Sequence, residues 1–124
     1  MVRVIIAGSR DFNDYDLVCK ECDDILRGLD PDDVEIVSGG CSGTDTLGER
    51  YAREHGYGLS IFEANWKKFG KSARPRRNAL MGVYAQQADE GILIAFPVGE
   101  SKGTRNMISA AEFYGLEVYV FDQG

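Results

Sequence analysis

Glycines and hydroxyl side chains cluster at three places in this chain, each directly after an apolar run. They are Gly8-Ser9-Arg10, the stretch Ser38-Gly39-Gly40-Cys41-Ser42-Gly43-Thr44-Asp45, and Phe96-Pro97-Val98-Gly99-Glu100-Ser101-Lys102-Gly103-Thr104. These residue types suit the binding of anions. Glycine lets a ligand approach the backbone, hydroxyls donate hydrogen bonds, and the arginine fork matches phosphate or carboxylate. The second and third stretches also open predicted helices, where free N–H groups and the helix dipole favour negative charge. Neither pattern is a P-loop, which would end in G-K-[ST], and the spacing is not G-x-G-x-x-G. Asp45 reads as an acceptor for ribose hydroxyls or as an acid supporting the first helical turn. Gly8-Ser9-Arg10 by itself reads equally well as a tight turn with a solvated arginine.

A fourth segment is basic. Lys67, Lys68, Lys71, Arg74, Arg76 and Arg77 follow one another with no acid between Glu63 and Asp89, in a chain of net charge −6. Runs of charge are usually solvated faces. Here, however, the pattern puts Arg77 and Asn78 in the first turn of a helix beginning near Arg76, where positive charge is unfavourable without an anion nearby. Trp66 and Phe69, interleaved with the lysines, read as platforms for a base or as anchors for the segment. The sole histidine, His55, falls at a helix end and reads as structural. Cys19-Lys-Glu-Cys22 matches C-x-x-C by letter, but it lies inside a helical pattern and lacks the second pair that zinc needs. No metal site and no separate cofactor are expected.

These loops need a frame, and the hydrophobic periodicity supplies one. Short β-branched or apolar runs over 2–7, 34–37, 59–62, 91–96 and 118–121 read as buried strands. Helical spacing lies between them. Tyr15, Val18, Cys22, Ile25, Leu26 and Leu29 share one stripe behind the capping pair Asn13-Asp14. Residues 44–55 form a second helix, closed by Gly56. Leu80, Tyr84 and Ala88 mark a third, and Met107, Ala111 and Tyr114 a fourth. Residues 64–75 show no clear period and read as a long loop. Strands alternating with helices imply a doubly wound α/β fold, three layers about a parallel sheet, Rossmann-like. Right-handed crossovers and the long segment before the fourth strand favour the order 3-2-1-4-5. Ligands of such sheets bind beyond the carboxyl ends of strands at the switch point, here between strands one and four.

Composition bounds the rest. The chain has 124 residues, 44% hydrophobic and 27% charged, which suits one globular domain over 1–124. No apolar run approaches the ~20 residues of a membrane span. The opening segment does not read as a signal peptide, so a cytoplasmic setting is expected. The acidic total disfavours sequence-independent DNA binding.

Taken in order, GSRDFNDY, IVSGGCSGTD, GKSARPRRN and AFPVGESKGT resemble the successive blocks of the SLOG superfamily, in particular its small YspA/YpsA-related bacterial and phage branch. That superfamily also holds LOG-type phosphoribohydrolases and DprA-type DNA-processing proteins. The resemblance implies a nucleotide-derived ligand, ADP-ribose-like or phosphoribosyl. Gly39, Gly40 and Gly43 match its second-strand loop, Arg77 its mid-chain arginine, and Gly103-Thr104 its phosphate-holding G-T. It further implies dimers or larger assemblies. In LOG-type enzymes a glutamate follows the G-T after two residues, but here that position is Met107. A thioether exchanges no protons. Binding or sensing of a nucleotide is therefore the leading expectation, held by Gly8, Ser9, Arg10, Ser38, Gly39, Gly40, Ser42, Gly43, Thr44, Asp45, Arg77, Asn78, Ser101, Gly103 and Thr104. N-glycosidic hydrolysis is the alternative, with Arg77, Glu100 or Asp45 left to assist it. Single-stranded DNA binding is the least favoured.

Overall fold

The computed structural model describes residues 1–124. Five strands form one all-parallel sheet in the order β3-β2-β1-β4-β5, as the sequence pattern predicts: β1 (Val2–Gly8), β2 (Val34–Ser38), β3 (Gly58–Ile61), β4 (Glu90–Phe96) and β5 (Glu117–Val120). The helices are α1 (Tyr15–Ile25), α2 (Thr44–His55), α3 (Trp66–Phe69), α4 (Ala73–Gln86) and α5 (Lys102–Phe113). The architecture is Rossmann-like.

Strand periodicity divides the central strands between two cores. Val4, Ile6, Ile36, Ile94 and Phe96 face one side, packed with Val18 and Cys22 of α1 and Tyr51 and Ala52 of α2. Ile5, Ala7, Val37, Leu93 and Ala95 face the other, packed with Met81 and Ala85 of α4 and Met107 and Ala111 of α5. β1 pairs with β2 from Val2↔Val34 and with β4 from Val2↔Glu90, so it is the central strand. The chain leaving β1 turns to one face of the sheet and the chain leaving β4 turns to the other. A crevice opens where they part.

Local chemistry sets the helix ends. Asp14 caps α1, its carboxylate accepting the Leu17 N–H at 3.1 Å. Gly56 ends α2 in the left-handed conformation at φ 73°. One segment departs from the sequence reading. Residues 64–75 are largely helical, with α3, a 3-10 turn over Gly70–Ser72, and the first residues of α4. Aperiodic hydrophobicity hid them because neither α3 nor the 3-10 turn buries a residue. α4 thus begins at Ala73, not near Arg76, and Pro75 sits in its first turn, where a missing N–H costs nothing. Arg77 and Asn78 fall in the second turn. The first-turn cations are Arg74 and Arg76 instead.

Gly48 shows packing overriding propensity. Within a helix alanine is favoured over glycine by about 1 kcal/mol. A Cβ at Gly48 would lie 2.9 Å from the Ile6 Cβ and 3.0 Å from its Cγ2. Gly48→Ala should therefore lower the melting temperature; a rise on thermal denaturation would show that α2 can move away from the sheet.

Candidate functional site

The crevice between the β1 and β4 ends is a cleft of about 400 Å³. Its floor is Ala7, Met81 and Met107, and one wall is Gly8, Ser9, Arg10 and Asp11 from the turn after β1. The opposite wall is the start of α5: Ser101, Lys102, Gly103 and Thr104. Arg74, Arg77 and Asn78 of α4 close one end, with Cys41 and Asp45 beside them.

Ser9 holds the two edges in register. Its hydroxyl accepts the Val98 N–H at 2.8 Å and donates to the Val98 carbonyl at 3.3 Å. Its carbonyl accepts both the Thr44 N–H at 3.2 Å and the Thr44 hydroxyl at 3.0 Å. The helix N-termini on the two sides therefore differ. At α2 the Thr44 N–H and hydroxyl are spent on Ser9. At α5 no side chain caps the first turn, whose residues Lys102, Gly103 and Thr104 line the cleft. The Ser101 and Thr104 hydroxyls share a hydrogen bond of 2.6 Å at this mouth. The Arg74 side chain lies against Gly103, where a Cβ would be 2.7 Å from a guanidinium nitrogen and would push that side chain aside.

Arg77 is 6% exposed yet lines the cleft. Its Nε donates to Asn78 Oδ1 at 3.0 Å, and its Nη1 donates to the carbonyls of Gly39 and, at 3.3 Å, Phe62. Nη2 has no hydrogen-bond partner within the protein. The Asn78 amide donates to Asn106 Oδ1 at 2.9 Å and to the Gly103 carbonyl at 3.4 Å, tying α4 to α5. Asp45 is 6% exposed, and burial pushes its carboxyl up to about 6, against the opposing pull of the Cys41 N–H and the Arg77 charge. Four cationic side chains (Arg10, Arg74, Arg77, Lys102) meet three acids (Asp11, Asp45, Glu100) around the cleft. Of those acids Glu100 is already paired with Arg105 at 2.8 Å, and burial disfavours the charged form of Asp45, raising its carboxyl to about 6. An anion fits such a balance.

The cleft gathers Gly8, Ser9, Arg10, Asp45, Arg77, Asn78, Ser101, Gly103 and Thr104 from the residues singled out in the sequence, with Glu100 and Met107. The rest of the second-strand loop does other work. Ser38 is fully buried, its hydroxyl donating to Glu49 at 2.7 Å and accepting the Gly40 N–H at 3.2 Å. Gly39 lies against the Arg77 guanidinium, and Gly43 (φ 74°) is pressed on the Ser9 and Arg10 carbonyls. Ser42 is exposed, Thr44 is sealed beneath Ser9, and Gly40 lines a second, smaller cavity of about 260 Å³. Residues the sequence reading passed over are Arg74, Lys102 and Cys41. The first two were visible as cations within flagged segments; Cys41 also lies in one, but its thiol is not an anion-binding type. His55 lies elsewhere, its ring 4.1 Å from that of Tyr51.

A doubly wound sheet with an anion-suited crevice at its switch point defines a Rossmann-like domain of nucleotide-related type. The family model for the YspA, cpYpsA-related SLOG family matches residues 2–69. A relative, Gene 61 protein of Mycobacterium phage D29, is 33% identical over 126 residues, spanning 98% of this chain and 97% of the phage protein. The chain belongs to the YspA, cpYpsA-related SLOG family. Its fold is similar to that of DNA processing protein A (DprA) from Streptococcus pneumoniae, with a TM-score of 0.55 at 15% identity. That match covers 96% of this chain but 58% of the streptococcal one, so the chain corresponds to part of that protein. No helix is long and apolar enough to cross a membrane.

Burial of the Asp45 carboxyl couples its protonation to folding. The folded protein holds a proton on this carboxyl up to about pH 6, whereas the unfolded chain releases it near the ordinary value of 3.8. Between those values the folded state binds more protons, so stability falls as pH rises, by an amount on the order of 3 kcal/mol. Urea denaturation at pH 4, 5, 6 and 7 should show this decline in the wild type and a flatter profile in Asp45→Asn. Parallel profiles would remove Asp45 as the titrating group.

Proposed function

We propose that this chain binds or senses a nucleotide or nucleotide-derived molecule, ADP-ribose-like or phosphoribosyl, in the cleft between the β1 and β4 ends. The observation that carries the reading is the meeting of the uncapped α5 N-terminus with Arg10, Arg74, Arg77 and Lys102 around one cavity. Backbone N–H groups at Gly103 and Thr104 would hold a phosphate, with Arg74 and Lys102 neutralising it. Arg77 Nη2 would reach the same group, and Arg10, exposed at the rim, would orient the rest. Residues 1–124 would work as one unit, in the cytoplasm, as a homodimer or larger assembly of the kind the family resemblance implies. The structural neighbour's name speaks of DNA, but the net charge of −6 weighs against a nucleic acid as ligand here.

Asp45 favours a second reading, hydrolysis of a nucleotide N-glycosidic bond. Met107, 1% exposed on the cleft floor, stands at the third position after Thr104, so no carboxylate occupies that position. A carboxyl with a pKa of about 6 beside Arg77 is still suited to proton transfer near neutrality. Release of free base from nucleoside monophosphates by the wild type but not by Asp45→Asn would establish it. Equal background from both would leave binding alone.

Binding to the folded state raises its stability by RT ln(1 + [L]/Kd), about 2.7 kcal/mol at a hundredfold excess over Kd. Nucleoside mono- and diphosphates at millimolar concentration should therefore raise the melting temperature. Arg74→Ala and Lys102→Ala should each weaken binding about ten- to a hundredfold, given ~1.5–3 kcal/mol for a hydrogen bond to a charged group. No shift with any nucleotide, or full affinity in both variants, would sink the assignment.

A further inference from the structure

The smaller cavity is unused by the phosphate reading, and its lining is chemically distinct. Gly39, Gly40, Cys41, Glu63, Ala64 and Trp66 surround about 260 Å³. Cys41 also lines the larger cleft, and Gly39 lies against the Arg77 guanidinium that faces it, so the two spaces are neighbours across one residue. Trp66 keeps 49% of its surface exposed, which is poor burial for a residue that merely anchors a segment. Over its aromatic face lies the Arg74 guanidinium carbon, 5.5 Å from the ring centroid, and Arg74 itself lines the larger cleft. One side chain thus links the indole to the phosphate region.

The polar group in the smaller cavity is an acceptor. Glu63 is exposed, and none of the protein's ion pairs uses it. Gly40, at φ 73°, gives it room: a Cβ there would lie 3.0 Å from the Glu63 Cγ and 3.1 Å from the Ile61 Cγ2. A space bounded by a flat indole and a free carboxylate, next to a cationic cleft, has the chemistry of a base pocket beside a phosphate pocket. An ionised carboxylate accepts and never donates, and its two oxygens suit two adjacent N–H donors. Among the common bases the Watson–Crick edge of guanine has that pair, whereas adenine offers a single amine.

Resting on the nucleotide reading of the larger cleft, we infer that the cavity of Gly40, Glu63 and Trp66 is the base pocket of this site, selective for guanine. The indole of Trp66 stacks on the purine, and Glu63 accepts from its N1–H and exocyclic amine. Stacking of one base on an aromatic side chain is worth about 1–3 kcal/mol, five- to more than a hundredfold in affinity.

Trp66 is the one tryptophan in the chain, so its emission reports this cavity alone. GMP, AMP and ribose 5-phosphate should be titrated with two simultaneous readouts, calorimetry for binding and tryptophan fluorescence for the cavity. The expected result is that all three bind, only the nucleotides quench Trp66, and GMP binds tighter than AMP. Trp66→Ala should then lose at least fivefold more affinity for GMP than for ribose 5-phosphate, Trp66→Phe should recover most of it, and Glu63→Gln should erase the preference for GMP. Nucleotide binding that leaves Trp66 emission and the Trp66→Ala affinity untouched would overturn the base pocket while sparing the phosphate cleft. AMP binding as tightly as GMP, or a preference that survives Glu63→Gln, would overturn the guanine assignment. Absence of heat with all three compounds would overturn the cleft reading and this inference with it.

Discussion

Ser9 joins the ends of three strands through one residue. Its hydroxyl is bonded to both backbone groups of Val98 beyond β4, and its carbonyl receives the N–H and hydroxyl of Thr44, the first residue of the helix that follows β2. Parallel strands leave their carboxyl ends splayed at a switch point, because successive connections turn to opposite faces. Something must fix how far they splay. In this chain Ser9 does so, and the width of the cleft between Arg10 and Gly103 follows from it. The glycines on either side are consequences of the same closeness: Gly8 has no room for a Cβ beside the Phe96 carbonyl, and Gly43 none beside Arg10.

Arg77 performs the complementary task on the other side. A buried guanidinium is costly unless its donors are satisfied. Here the Gly39 and Phe62 carbonyls and the Asn78 amide oxygen satisfy most of them, which brings the ends of β2 and β3 onto α4. The Cys41 N–H and, after it, the Arg77 charge hold Asp45 in reach of ionisation despite its burial. A positive group held by main-chain carbonyls keeps its position whether or not a ligand is present, and the site is to that extent formed in advance.

Membership of the YspA, cpYpsA-related SLOG family places this chain beside a phage protein of nearly the same length, and beside a much longer bacterial protein in fold alone. Fold of this kind hosts many chemistries, and activity is decided by the residues at the strand ends. Met107 is the telling one. It contributes an apolar floor where a carboxylate would serve hydrolysis, and it packs with Met81 and Ala111 as an ordinary core residue.

Strand alternation with helices, the order of the sheet and the gathering of Gly8-Ser9-Arg10 with Ser101, Gly103 and Thr104 were all legible in the chain, because short buried strands and glycine-rich turns are local signals. The helix over 44–55 was legible for the same reason. What the chain alone left undecided is which polar group spends its hydrogen bonds inside the protein. Ser38, Gly43 and Thr44 read as an anion cradle by type and spacing, yet their partners are Glu49, Arg10 and Ser9, residues near or distant in sequence that only folding sets against them. Arg74, Lys102 and Cys41 entered the cleft, and Gly40 and Trp66 a second one, for the same reason in reverse. Hydrogen-bond accounting is a tertiary property: a donor is free for a ligand only after every buried acceptor around it has been satisfied.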